Sequence, residues 1–429
     1  MPMFFISLGV MLLLIMSGAW IAISLGLGGI IALIPKIGDR VWDLFSIQAF
    51  TTMTSFELLA VPLFVFMGEF IGRCGIAERV YAGVSQFLRG TPGGLEQTNI
   101  VACGFFAAIS GSSVAGAATM GKIAYPELTQ RGYDKRLTLG SITAGGTLGI
   151  LIPPSIPLII YGLIAEESVG ALFMAGIIPG LMLIGFYMLY IGTRATLQPD
   201  LVPRENGATG WRTRILGLLQ VWPFIILMIL VLGSIYLGIA TPTESAAIGA
   251  IGAIFVALAF NRFSWEGLTS SLLAAVKTTS MIMLIVICAK ITVQALVYYG
   301  ISYSLAEWIT GLGSPILCYI VICISFLILG CLFEPLSMMV LTIPIFVPVL
   351  VALGFSKVWF GIVVTISAEI GMLTPPVGLN LFVMQGVTGQ AIEEVVRGVW
   401  PFIVGNVLLL WIVYQWPAVA LWLPSLMIR

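Results

Sequence analysis

The chain has 429 residues, of which 59% are apolar and 9% charged, with 19 basic and 19 acidic side chains and no histidine. Such a composition leaves too few polar groups to cover a soluble globule, so the solvent for most of the surface is lipid. The lack of histidine excludes Ser-His triads, HExxH chemistry and imidazole-held metals, and the balanced charge gives no footprint for nucleic acid.

A bilayer core of about 30 Å needs roughly 20 apolar residues per helix. Residues 3–18 and 19–35 read as two packed spans, lacking the basic leader of a secretory signal. A third span is predicted over 56–76. The string IAERVYAGVSQFLRG (76–90) follows; it reads as an amphipathic helix on the cytoplasmic surface or as a solvated connector. Segment 93–128 has two apolar arms meeting at Ser110-Gly111-Ser112-Ser113. Each arm of about 15 residues makes roughly 22 Å of helix, too short to cross alone, so a re-entrant hairpin is expected. Spans over 138–165, interrupted by Pro153-Pro154, and 171–195 complete five crossings. The six cysteines, Cys74, Cys103, Cys288, Cys318, Cys323 and Cys331, sit in apolar strings without CxxC spacing and read as small buried hydrophobes.

At an offset of 222 residues the helix breakers of the chain coincide: Pro126 with Pro348, Gly149 with Gly371, Pro153-Pro154 with Pro375-Pro376, and Pro179 with Pro401. Two units are therefore expected, 1–210 and 211–429, and the second carries its own hairpin over 315–350, broken between Gly330 and Pro335. Five crossings per unit is odd, so the second unit enters the membrane from the opposite side. The prediction is an all-α polytopic membrane protein built as an inverted repeat, with two re-entrant hairpins and broken helices. With the amino terminus outside, thirteen basic residues, Arg131, Lys135, Arg136 and Arg204 among them, face the cytoplasm, against Lys36, Arg40, Lys357 and Arg429 outside.

Proline removes an amide donor and clashes with the preceding turn, so carbonyls from Gly149 to Ile152 and from Gly371 to Thr374 should be freed. Prolines also kink membrane helices for structural reasons alone. Two copies in register, each after a broken hairpin, favour a site. Freed carbonyls with the hydroxyls of Ser110, Ser113, Thr147 and Thr374 suit a monovalent cation. Charges at membrane depth, Glu244, Lys290, Glu334 and Glu369, serve either function or pairing within the bundle. Ser112, Thr147, Glu334 and Asn380 are the candidate substrate contacts.

The strings ISGSSVAGAATMG (109–121), GGTLGILIPPS (145–155), ATPTESAAIGA (240–250) and EIGMLTPPVGLNLFV (369–383) resemble the large membrane subunit of tripartite ATP-independent periplasmic (TRAP) transporters, along essentially the whole chain. The resemblance implies an ion-transporter superfamily elevator fold in the bacterial inner membrane, with Na+ as coupling ion and no other cofactor. It also implies a periplasmic substrate-binding protein that delivers a small organic anion, and a four-helix membrane subunit, here separate because the chain starts at its first span. Carried over by motif, one sodium site would use Ser110, Ser113, Gly149, Ile152 and Pro154, and the other Gly330, Gly371 and Thr374. Ile152 stands at the repeat position of Thr374, so a backbone carbonyl must replace that hydroxyl. Within the family the sialic-acid members look most similar. The alternatives are a dicarboxylate carrier or ion antiporter working without a binding protein, and a channel.

Overall fold

The computed structural model describes residues 2–203 and 210–427. Arg204 and Arg429, used in the charge count above, lie outside the described residues. The fold is entirely helical where described. The first ten helices are α1 (Pro2–Met16), α2 (Ile21–Ile37), α3 (Arg40–Met53), α4 (Ala60–Arg73), α5 (Ile76–Leu88), α6 (Gly94–Ser110), α7 (Ser113–Gln130), α8 (Lys135–Thr147), α9 (Ile156–Ala165) and α10 (Val169–Leu197). The remaining ten are α11 (Trp211–Tyr236), α12 (Pro242–Ala259), α13 (Trp265–Tyr298), α14 (Ile301–Thr310), α15 (Pro315–Leu332), α16 (Pro335–Ala352), α17 (Lys357–Leu373), α18 (Leu379–Thr388), α19 (Ile392–Gln415) and α20 (Ala418–Ser425).

Helix bounds follow the offset of the helix breakers. Shifted by 222 residues, α7 falls on α16 at both ends, and α2, α6 and α9 fall within one residue of α12, α15 and α18 at each end. Contacts are reciprocal as well: α7 packs on α18 while α16 packs on α9, and α8 packs on α19 while α17 packs on α10. That exchange of partners is what a two-fold relation between halves requires. By length and composition α10, α12, α13, α15, α16 and α19 can each cross a membrane, and the bent pair α3 and α4 makes a seventh.

One asymmetry was not expected. Residues 40–53, which fall between the predicted spans 19–35 and 56–76, form α3, and the chain then turns by 60° into α4. The second half covers the same ground with α13, an unbroken helix of 34 residues. Pro62 favours the break: its ring disfavours a helical carbonyl four residues back, at Leu58, and in the first turn of α4 its missing amide costs no helical bond. The equivalent position on α13 is Leu284. Thr54 and Ser55 add competing local bonds at the turn, to the Phe50 carbonyl and the Glu57 carboxylate.

At the centre are α8 and α17. Every residue from Leu137 to Thr147 and from Trp359 to Leu373 is buried. The α8 string LTLGSITAGGT is small enough to admit neighbouring backbones: a Cβ on Gly140 would collide with the carbonyl of Gly398 on α19. Outward-facing Leu13, Leu197, Ile239 and Phe255 remain exposed, which only lipid tolerates on this scale. The 76–90 segment forms an amphipathic helix docked on the bundle. Its apolar face, Ile76, Val80, Tyr81, Val84 and Leu88, is buried, and Gly83 meets Gly217 of α11 backbone to backbone, so α5 belongs to the bundle. The six cysteines are unpaired, five buried and Cys323 half-buried.

Candidate functional site

The break between α6 and α7 is two residues long. Gly111 takes a left-handed φ of 57°, and Ser112 caps α7 by accepting from the Ala115 amide at 3.4 Å. Ser110 Oγ donates to the Ser112 carbonyl at 3.3 Å, while Ser113 Oγ donates across to the carbonyl of Thr147, where α8 ends, at 3.2 Å. Beyond Thr147 the chain makes a tight turn over Leu148–Ile150 and passes Pro153-Pro154 before Ser155 caps α9. Gly149 lies against the hairpin tip: a Cβ there would stand 3.0 Å from the Ser112 carbonyl oxygen. A Cβ on Gly111 would stand 3.0 Å from the Pro154 carbonyl oxygen. Ser110, Ser113, Gly149 and Pro154 are thus gathered in one place. The Ile152 side chain packs away from them, against Gly180 and Gly104.

The second break lies between α15 and α16, at Phe333 and Glu334. Gly330 and Gly371 pack backbone to backbone, a Cβ on Gly371 falling 2.6 Å from the Gly330 Cα. Thr374 Oγ1 returns to the Ile370 carbonyl at 2.6 Å, and Ser337 Oγ to Glu334 Oε1 at 3.5 Å. The arms of both hairpins are 17 or 18 residues, longer than the roughly 15 expected, so length alone does not forbid a crossing. The place where their tips meet is what fits re-entrant hairpins.

Both tips line one cavity of about 680 Å³, with Ser110 to Ser113 on one side and Glu334 to Leu336 on the other. The amino termini of α7 and α16 face it, each offering unpaired amides and the positive end of a helix dipole. The carboxyl ends of α6, α8, α15 and α17 end nearby and offer carbonyls. Anion-seeking and cation-seeking groups therefore converge, with hydroxyls between them. Oxygen donors of this kind fit a hard monovalent cation. Among the described residues no three His, Cys, Asp or Glu side chains come together, so nothing resembles a transition-metal site.

The candidate substrate contacts divide. Ser112 and Glu334 line the cavity, whereas Thr147 and Asn380 are fully buried outside its lining. Thr147 Oγ1 is occupied by the Ala144 carbonyl at 2.8 Å, and neither side-chain polar atom of Asn380 has a partner. Glu369 is fully buried with neither oxygen hydrogen-bonded, and Lys290 is half-buried on α13. Glu244 has a plain structural duty. Its carboxylate accepts from the Thr241 amide at 2.8 Å while its own amide donates to Thr241 Oγ1, a capping box at the start of α12 that the string TPTE announces.

Three charged residues of the cavity wall were not singled out from sequence: Glu69, Arg73 and Lys122. Helical spacing would have found them, since Val65, Glu69 and Gly72 share one face of α4, and Ala115, Ala118 and Lys122 one face of α7. Glu96, also missed, is fully buried at the foot of α6 and accepts from the hydroxyls of Thr138 and Ser141 on α8, which ties the first hairpin to the central helix.

Over residues 8–419 the chain matches the family described as tripartite ATP-independent periplasmic transporter, DctM component. It is 38% identical over 408 residues to the C4-dicarboxylate TRAP transporter large permease of Pseudomonas aeruginosa, covering 94% of each chain. To the corresponding protein of Rhodobacter capsulatus it is 34% identical over 441 residues, covering 98% of each. The sialic acid TRAP transporter large permease of Vibrio cholerae is a weaker match, 30% identical over 380 residues and 87% of each chain, against the expectation that sialic-acid members would be most similar. Among solved structures the YdaH transporter of Alcanivorax borkumensis superposes with a TM-score of 0.63 at 15% identity over 90% of this chain and 91% of that one, a likeness of fold alone.

Proposed function

Because the chain belongs to the DctM-component family of TRAP transporters, multi-pass inner-membrane permeases for organic acids and not enzymes, we propose that it is the sodium-coupled importer of a C4-dicarboxylate or a closely related small organic anion. Proteins of this family work with a periplasmic binding protein and a small membrane subunit. The observation that carries the reading is the meeting of two hairpin tips in a single cavity, with a helix amino terminus at each tip, hydroxyls at the first and the Glu334 carboxylate at the second. Within 1–210 and 211–429, read as two inverted units, the first hairpin opens from the cytoplasmic side and the second from the outside. Alternating access then follows if the hairpins and their broken helices move as one body past the rest, as an elevator. Glu96 supports that mode, since it fastens α6 to α8 and so opposes independent opening of the first hairpin.

Sodium is assigned to two places. Ser110, Ser113, Gly149, Ile152 and Pro154 surround one, with Ile152 and Pro154 contributing carbonyls; Gly330, Gly371 and Thr374 surround the other. The substrate occupies the cavity between the tips, against Ser112. Glu334 is an acceptor when ionised, so it faces the cation or a substrate hydroxyl and not a carboxylate. A C4-dicarboxylate is preferred to sialic acid because the C4-dicarboxylate permeases are the more similar relatives.

The test is uptake by proteoliposomes holding the chain with its small subunit, supplied with the binding protein. Labelled succinate should accumulate only under an inward sodium gradient, and unlabelled succinate should compete better than sialic acid. Equal uptake without sodium or without the binding protein would overturn the reading.

A further inference from the structure

The cavity wall carries four ionisable side chains, Glu69, Arg73, Lys122 and Glu334. Two of them cancel: Arg73 Nη2 lies 3.3 Å from Glu69 Oε2, one helical turn away on α4. Glu334 belongs to the second tip, where Ser337 attends it. Lys122 is left. It has no carboxylate partner among the described residues, and although it stands in the apolar string ATMGKIAY in the middle of α7, its side chain is exposed on the cavity wall.

Its place relative to the first tip is set by the helix. Ser113 and Lys122 are nine residues apart on α7, about 13 Å along the axis. Side chains lean toward the helix amino terminus, so the lysine stem carries its ammonium back to roughly 10 Å from the tip amides. A four-carbon chain with a carboxylate at each end, held by one hydrogen bond at either end, spans roughly the same distance. Between the two points the wall is small, with Ala115 and Ala118 on α7 opposite Gly68 and Gly72 on α4.

Resting on the reading of the cavity as an organic-anion site, we propose that Lys122 is the second anchor of a dianionic substrate: it holds one carboxylate while the amino terminus and hydroxyls of the first hairpin tip hold the other. Lys122 thereby selects for a four-carbon acid that ends in a carboxylate on each side. An acid with a single carboxylate leaves one anchor empty, so the residue discriminates by charge number and not by size. A cavity of 680 Å³ by itself would admit much larger molecules.

The experiment compares succinate with monomethyl succinate, which keeps the chain length and loses one charge. The full chain, co-purified with its small membrane subunit, is titrated with each probe in sodium and followed by thermal stabilisation, as wild type and as Lys122→Gln, Lys122→Met and Lys122→Arg. Lys122→Gln and Lys122→Met should raise the half-saturating succinate concentration about tenfold or more, the worth of one charge-assisted hydrogen bond, and leave monomethyl succinate where it was. Lys122→Arg should retain most of the succinate response. Unchanged succinate binding in both neutral variants, or equal weakening of both probes, overturns the proposal. So does failure of both neutral variants to fold while Lys122→Arg folds, since the ammonium would then be a packing element. A wild type indifferent to succinate at every sodium concentration would instead defeat the dicarboxylate reading beneath it.

Discussion

Gly371→Ala should disable the second sodium site and destabilise the protein, with a larger effect than Gly330→Ala. A Cβ at Gly371 would fall 2.6 Å from both the Cα and the carbonyl carbon of Gly330, inside any tolerable contact and against backbone that no rotamer change can clear. The second hairpin would have to move off α17 at Gly330, disturbing the backbone around which the second sodium site is proposed. Overpacking of this kind costs about 1–3 kcal/mol in a close-packed interior. The reciprocal change is milder, since a Cβ at Gly330 meets the Gly371 Cα at 3.2 Å, a clash that a shift of a few tenths of an ångström relieves. Thermal unfolding in detergent and the sodium dependence of uptake should therefore both rank wild type, Gly330→Ala, Gly371→Ala. A Gly371→Ala protein as stable as wild type, with the same sodium dependence, would contradict the packing described for that tip.

Ser113→Ala should weaken sodium binding while leaving the fold intact. The residue is buried, and its Oγ reaches the Thr147 carbonyl at 3.2 Å, so the hydroxyl stands between hairpin and broken helix where an ion would be held. Alanine removes that oxygen and little volume. Loss of one ligand worth about 1.4 kcal/mol would raise the sodium concentration for half-maximal uptake roughly tenfold. Ser110→Ala should act in the same direction but less, because Ser110 is only partly buried and bonds within its own tip. Thr374→Ala should shift the sodium curve from the other side, its hydroxyl being drawn to the Ile370 carbonyl in the present arrangement. Normal sodium dependence in all three variants would make these hydroxyls packing groups.

The parts of this architecture that could be read from the sequence are those written in helix breakers. Pro153-Pro154 and Pro375-Pro376, the serines at 110–113 and Glu334-Pro335 are local signals, and helix bounds recur at their common offset. Parts that depend on who packs against whom could not be read so. The 40–53 helix mixes Trp42, Phe45 and Phe50 with Asp43, Ser46 and Gln48, a string neither apolar enough for a span nor punctuated as a loop, and only its docking on α13 accounts for it. The apolar face of α5 was visible, but its partner α11, more than a hundred residues away, was not. Thr147 and Asn380 are the opposite case. Polar residues near a break looked available for substrate, yet the fold buries them away from the cavity, while Lys122, hidden in an apolar string, lines it. The likeness to sialic-acid members rested on no particular residue, and the C4-dicarboxylate permeases proved the more similar relatives.

The central claim is that the two tips enclose one transport site. Ala115 on α7 and Leu336 on α16 line the cavity from opposite halves without belonging to either proposed sodium site. Each can be replaced singly by cysteine in a protein whose six native cysteines have been removed. The measurement is the rate of modification at each position by a small water-soluble thiol reagent, with and without sodium and succinate together. A single shared site predicts that both cysteines react and that both are slowed by sodium plus succinate. Protection at one tip with none at the other would show that the tips do not share a substrate, and would contradict the account.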